Sequence, residues 1–229
     1  MSKSTILLLG ASAKVMPFNM PTSGVRALAS PKFTNVVVQG NRADYSVSWL
    51  EARSVKTLAT DGSLQDTEVR MPREGRVRLF PMEGIIMCSG FGRSVKRMME
   101  FLWPDADDRP NISQVYIDLN VLLSGNTHST ELRDVSIADL YVERVGPGVF
   151  DVQSAAPSSI NRLVSGTKAW LSSAAIEIGP EPDSFLLTIS RAGTLNVVGI
   201  PVRPNWPTVA DLIEETLKKL SIWGQISNG

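Results

Sequence analysis

Apolar and polar positions follow two different periods along this chain, and the switch between them marks out the elements. From Phe33 to Cys88 the period is that of β-strands. Val36-Val37-Val38 is a short continuous apolar run. Tyr45-Ser46-Val47-Ser48-Trp49 alternates, and so does Arg76-Val77-Arg78-Leu79-Phe80, so each predicts a strand with one buried face. Residues 55–59 and 68–71 flank Asp61-Gly62-Ser63, which predicts a hairpin. Another apolar strand, residues 85–88, follows Pro81.

The helical period takes over at residues 92–102. Val95, Met98, Met99 and Leu102 share one helix face, with Arg93, Lys96, Arg97 and Glu100 on the other, and Pro104 ends the run. A weaker pattern predicts a helix over 158–171, with Ile160, Leu163, Val164 and Leu171 inward. In the last helix Thr208 fits the N-cap, and Val209, Leu212, Ile213, Leu217 and Leu220 make the buried stripe. Glu214–Lys218 and Glu215–Lys219 are ordered for favourable pairing on a solvated face, about 0.2–0.5 kcal/mol each.

Between these helices, residues 115–123 are apolar over a length that suits strand or helix, with strand expected at the start. Gly146-Pro147-Gly148 and Arg191-Ala192-Gly193 each sit between β-type segments and predict two more hairpins. Strands and helices do not alternate regularly. The expected fold is therefore α+β, a mainly antiparallel sheet with about three helices. Residues 1–31 carry Pro17, Pro21 and Pro31 with Gly10 and Gly24, and predict an extended N-terminal arm before a single domain over 32–229. Its apolar run, residues 6–9, is too short for a secretion signal, and no run approaches the ~20 residues of a membrane span.

Composition narrows the chemistry. The 229 residues hold 23 cations and 23 carboxylates, one histidine and one cysteine. Metal centres with nitrogen and sulfur ligands, or a Cys-His dyad, need several such groups together. The expectation is a protein that is not an enzyme and takes no cofactor, metal or small-molecule substrate. One cysteine fits a reducing, intracellular setting, and Cys88, after Ile85-Ile86-Met87, reads as a buried apolar residue.

Several motifs fall short of a site. Gly90-Phe91-Gly92 lacks the third glycine of a dinucleotide loop, because Val95 stands there. Ser165-Gly166-Thr167-Lys168 fits S-x-x-K without its companion motifs, and reads as helix surface. Asp105, Asp107 and Asp108 read as a solvated acidic loop, and His128 as a residue of a polar surface loop.

The basic segment is the stronger candidate. Between residues 70 and 100, Arg70, Arg73, Arg76, Arg78, Arg93, Lys96 and Arg97 face only Glu74, Glu83 and Glu100. Arg76 and Arg78 project from one strand face, and Arg93, Lys96 and Arg97 from one helix face. Brought together, they predict a patch for anionic lipid or RNA phosphates. Trp206, between Pro204 and Pro207, and Trp223 after the last helix are candidate partner-contact anchors.

Residues 76–152 resemble the core of rhabdovirus-type viral matrix proteins. The matching parts are the strand Gly84-Ile85-Ile86-Met87-Cys88, the basic helix from Arg93 to Leu102, the apolar segment from Val115 to Gly125, and the hairpin from Leu140 to Val152. The resemblance implies a self-associating structural protein that bridges anionic membrane and nucleocapsid, located in host cytoplasm or virion. Two other expectations remain beside it. One is a nucleic-acid-binding module such as a viral movement or silencing-suppressor protein. The other is an enzyme built on serine or a hard metal ion.

Overall fold

The computed structural model describes residues 3–11, 32–39, 42–90, 92–103, 107, 109–123, 132–142, 146–155, 157–178, 184–199 and 206–228. Along the chain, β1 (Lys3–Ala11), β2 (Lys32–Gln39), β3 (Arg42–Leu58), β4 (Leu64–Phe80) and β5 (Ile85–Ser89) lead into α1 (Arg93–Leu102). β6 (Ile112–Ile117), a 3-10 turn (Leu119–Leu123), β7 (Leu132–Val142), β8 (Gly146–Ala155) and α2 (Pro157–Val164) follow. β9 (Trp170–Ile178), β10 (Phe185–Ser190), β11 (Thr194–Val198), α3 (Trp206–Lys219), a second 3-10 turn (Trp223–Gln225) and β12 (Ile226–Asn228) complete the order.

The strands form one large antiparallel sheet in the order β2-β3-β4-β5-β1-β11-β10-β9-β7-β8, with β6 beside β1 and β12 beside β6. With three α-helices among the described residues, this is the α+β architecture that the periodicity predicts.

The predicted N-terminal arm needs correction over residues 3–11. They form β1, an inner strand paired with β5 on one edge and with β11 and then β6 on the other. The unbroken apolar run explains why. Ile6 and Leu8 enter the core on one face of the sheet while Leu7 and Leu9 pack against the core on the other. The rest of the predicted arm, residues 12–31, lies outside the described residues.

Two further boundaries move. The helix predicted over 158–171 stops at Val164, because Gly166 adopts φ 75° and turns the chain, and Trp170–Ile178 becomes a strand instead. The last helix begins at Trp206, so Thr208 lies within its first turn and is not the N-cap. Pro207 sits in that turn at no cost, since N–H groups there have no helical acceptor. No helix among the described residues is long and apolar enough to cross a membrane.

Each face of the sheet has its own core. On one, Val95, Met98, Met99 and Leu102 of α1 cover Tyr45, Val47, Trp49, Val77, Leu79 and Cys88. The helix lies close because β4 offers bare backbone at Gly75, where a β-carbon would overlap the Met98 sulfur. On the other face Val209, Ala210, Ile213 and Leu217 of α3 join Phe80, Met87 and the apolar positions of β9, β10 and β11.

β3 and β4 pair without a bulge from Ala43↔Leu79 to Leu58↔Leu64, 17 residues each. Their outer partners stop early: β2 pairs with residues 42–48 and β5 with residues 77–80. Beyond Trp49 and Arg73 the two strands therefore run on as a ribbon with no further strand paired to either edge among the described residues, exposed on both faces for most of its length. Asp61 closes its tip as predicted, its Oδ1 accepting from the Ser63 N–H at 2.9 Å and the Ser63 hydroxyl at 2.6 Å.

Candidate anion-binding groove

Where the ribbon leaves the body of the sheet, its α1-facing side and the outer face of α1 enclose a groove. It comprises two adjoining hollows of about 510 Å³ and 650 Å³ that share Glu51, Ala52, Arg93 and Ser94. The strand wall supplies Trp49, Glu51, Arg53 and Arg73, and the helix wall supplies Arg93, Ser94, Lys96, Arg97 and Glu100. Five cations thus line the groove with two carboxylates.

Both carboxylates are already engaged. Arg73 Nε donates to Glu51 Oε2 at 2.7 Å, and Arg53 lies 3.4 Å from the same oxygen. That hydrogen bond from Arg73 is the largest influence holding Glu51 below the usual carboxylate range. Arg97 Nη1 donates to Glu100 Oε2 at 2.9 Å and lowers the Glu100 pKa in the same way. Arg93 has no carboxylate partner among the described residues, and it is exposed at the start of α1. The N-cap there is Gly92, whose lack of a side chain leaves the first amides of the helix without a capping bond. The positive end of the helix dipole adds to the cationic field.

Of the seven basic residues predicted to form one patch, the structure gathers Arg73, Arg93, Lys96 and Arg97 and separates the other three. The reason is the two-residue period of β4. Arg73 shares the α1 side with Val77 and Leu79, whereas Arg70, Arg76 and Arg78 point to the opposite face. Arg70 lies out on the exposed ribbon, and Arg76 bonds Glu74 at 3.1 Å.

Arg78 is the clearest correction, because its side chain is only 2% exposed and is enclosed by this chain's own carboxylates. Its Nε and Nη2 donate to the two oxygens of Asp44, each at 2.8 Å. Its Nη1 contacts Asp211 and Glu214 of α3, and Arg42 and Lys218 close the cluster on those same carboxylates. Burial works against the Arg78 charge, but the hydrogen bonds it donates to Asp44 and Asp211 outweigh it and raise its pKa. Glu214, expected on a solvated helix face, is buried in this cluster, although its predicted pairing with Lys218 forms at 2.6 Å.

Among the described residues, the remaining sequence candidates do not converge. His128, Asp105 and Asp108 lie outside the described residues, and Asp107 is exposed. Among the described residues no three metal-binding side chains cluster. Ser165 and Lys168 lie exposed in the turn after α2, the Ser165 hydroxyl 2.9 Å from Asn161 Oδ1. Cys88 is fully buried, which pushes its thiol pKa up. Trp223 packs edge-on against Phe80 with ring centroids 4.8 Å apart, so its ring serves this chain's own core. Trp206 stands at the first position of α3.

Sequence reasoning missed Arg53 and Glu51. The signal was present: running the register back from Asp61-Gly62-Ser63 sets Trp49 opposite Arg73 and Glu51 two pairs further out, on the same face. It also missed Arg191, whose guanidinium lies between the rings of Tyr116 and Trp170, 3.9 Å and 4.0 Å from their centroids. The same residue's N–H donates to Ser172 O and its carbonyl accepts from the Ile117 N–H, each at 2.9 Å, so it clasps β6 and β9 to the β10–β11 turn.

No model of a known protein family and no curated protein matches the chain.

Proposed function

We propose that this protein is a non-catalytic binding protein whose groove between α1 and the β3–β4 ribbon holds the phosphates of a nucleic-acid strand. The observation that carries this reading is the lining: five cations, two carboxylates already paired to Arg73 and Arg97, and Arg93 with no acid partner among the described residues. Arginine and lysine keep their charge throughout the neutral range, so the lining suits holding an anion better than shuttling a proton. An anionic membrane offers the same phosphate chemistry. A concave groove beside a standing ribbon fits a strand better than it fits a plane.

Titrating a short single-stranded RNA at increasing salt tests the reading. Contact with three or four phosphates gives a log–log salt slope of about −2 to −3. Reversing Arg93 and Arg97 to glutamate lowers the affinity by about 10–100-fold. Salt-independent binding, or equal affinity in the reversed variant, contradicts it. Binding to anionic vesicles without binding to RNA moves the phosphate source to lipid and overturns the nucleic-acid reading.

A further inference from the structure

We propose that two copies of this chain join edge to edge through the ribbon portion of β4, antiparallel about Val69, to form a four-stranded ribbon. The inference stands on the edge itself and does not depend on what the groove binds.

The edge is long and open. Residues 64–76 of β4 have β3 on one side and, among the described residues, no strand on the other, since β5 begins pairing at Val77. The Ala59 N–H bonds Ser63 O at the tip and the Arg76 N–H bonds Ser89 Oγ at the base. With no bulge between them, odd-numbered amides of β4 face β3 and even-numbered ones face outward. Asp66, Glu68 and Arg70 therefore turn outward N–H and C=O groups that have no partner among the described residues, as a strand-addition site requires. Val69 is 38% exposed and Met71 40%, on a ribbon that lacks a core of its own.

Charge selects the occupant and the register. An antiparallel pairing of β4 with itself about Val69 sets Glu68 opposite Arg70 of the second copy, twice by symmetry. Asp66 then faces Pro72, Thr67 faces Met71, and Val69 faces Val69 as a close non-hydrogen-bonded pair. Shifting the centre by one residue opposes Glu68 to Glu68 or Arg70 to Arg70. Shifting it by two opposes Asp66 to Glu68, or Glu68 to Glu74. A centre at Pro72 would match charges, but it sets two prolines together where each should donate, and it needs the Arg76 N–H already given to Ser89. Only the Val69 register combines attractive pairs with an intact central ladder. It places the two copies of Arg73 on one face of the joined ribbon, about 26 Å apart along the strands.

Sedimentation velocity of the full chain over a wide concentration range tests the pairing with Glu68→Arg, Arg70→Glu and the double variant. These side chains are exposed, and unchanged thermal unfolding checks that each variant folds. The expected result is a reversible dimer for the original chain, about tenfold weaker dimerisation in each single variant, and recovery in the double variant. A chain that stays monomeric throughout, single variants that dimerise as the original does, or a double variant that does not recover would each overturn the proposal. The groove variant with Arg93 and Arg97 reversed serves as the separate arm. It dimerises normally here even where RNA binding is lost, so the two readings fail independently.

Discussion

The two halves of the β3–β4 hairpin share one ladder and one alternation, yet they are held by different things. At the base, α1 covers residues 45–49 and 75–79 on one face, α3 meets Arg42, Arg78 and Phe80 on the other, and β2 and β5 pair with residues 42–48 and 77–80. At the tip, residues 51–58 and 64–71 pair with no other strand among the described residues. The base is an ordinary piece of protein interior. A two-stranded ribbon alone is at best marginally stable in water, so the tip depends on its anchored base and gains from a partner. Strand pairing and burial are thus separate properties, and this chain uses the difference to present an adhesive edge beside a cationic groove.

The comparison breaks most sharply at one arginine position against another on the same strand face. Arg78→Ala leaves the buried Asp44 without its bidentate cation and the α3 carboxylates with one cation fewer, and equilibrium denaturation should show a loss of about 3–5 kcal/mol. Arg70→Ala, on the tip, should change stability by no more than about 0.5 kcal/mol. Gly75→Val tests the base from the other face. Its side chain must displace Met98, and the expected cost is about 1–3 kcal/mol in the same assay.

A pH titration of stability sharpens the contrast further. Burial raises the pKa of Cys88 above its ordinary 9.0, and burial first and Asp44 second raise that of Tyr45 above 10.0. Above pH 9 the unfolded chain releases protons that the folded base retains, so the folded state binds more protons and stability falls as pH rises. The slope should approach roughly 1.4 kcal/mol per pH unit for Cys88, with Tyr45 adding to it above pH 10, and Cys88→Ala should remove the part that begins near pH 9. The smallest effect belongs to the tip. Replacing residues 51–71 with a short turn should leave unfolding of the base within about 0.5 kcal/mol of the original and abolish dimerisation.

Much of the fold was legible because alternation and turn residues carry it. The strands at 45–49 and 76–80, the turn at Asp61-Gly62-Ser63 and the face of α1 all appear where the pattern predicts them. What it could not convey was how many faces of a strand are covered. Arg78 alternates with Val77 and Leu79, so it reads as the solvent side of a one-faced strand. The carboxylates that bury it come from α3, more than a hundred residues later. Residues 6–9 read as part of an arm for the complementary reason, since a short run buried on both faces has no alternation to reveal it. The groove was half legible. Arg73, Arg93, Lys96 and Arg97 were identified by charge, but their separation from Arg70, Arg76 and Arg78 follows from the odd and even faces of β4.

Residue-resolved hydrogen exchange across protein concentration tests most directly whether base and tip are held differently. Amides of Val77 and Leu79 should stay protected at every concentration, and those of Thr67 and Val69 should show the weaker protection of the β3 ladder. The outward amides of Asp66, Glu68 and Arg70 should exchange freely when dilute and slow together as concentration rises, alternating along the strand. Exchange at those three positions that is already slow when dilute, or equally fast at all concentrations, would contradict the account.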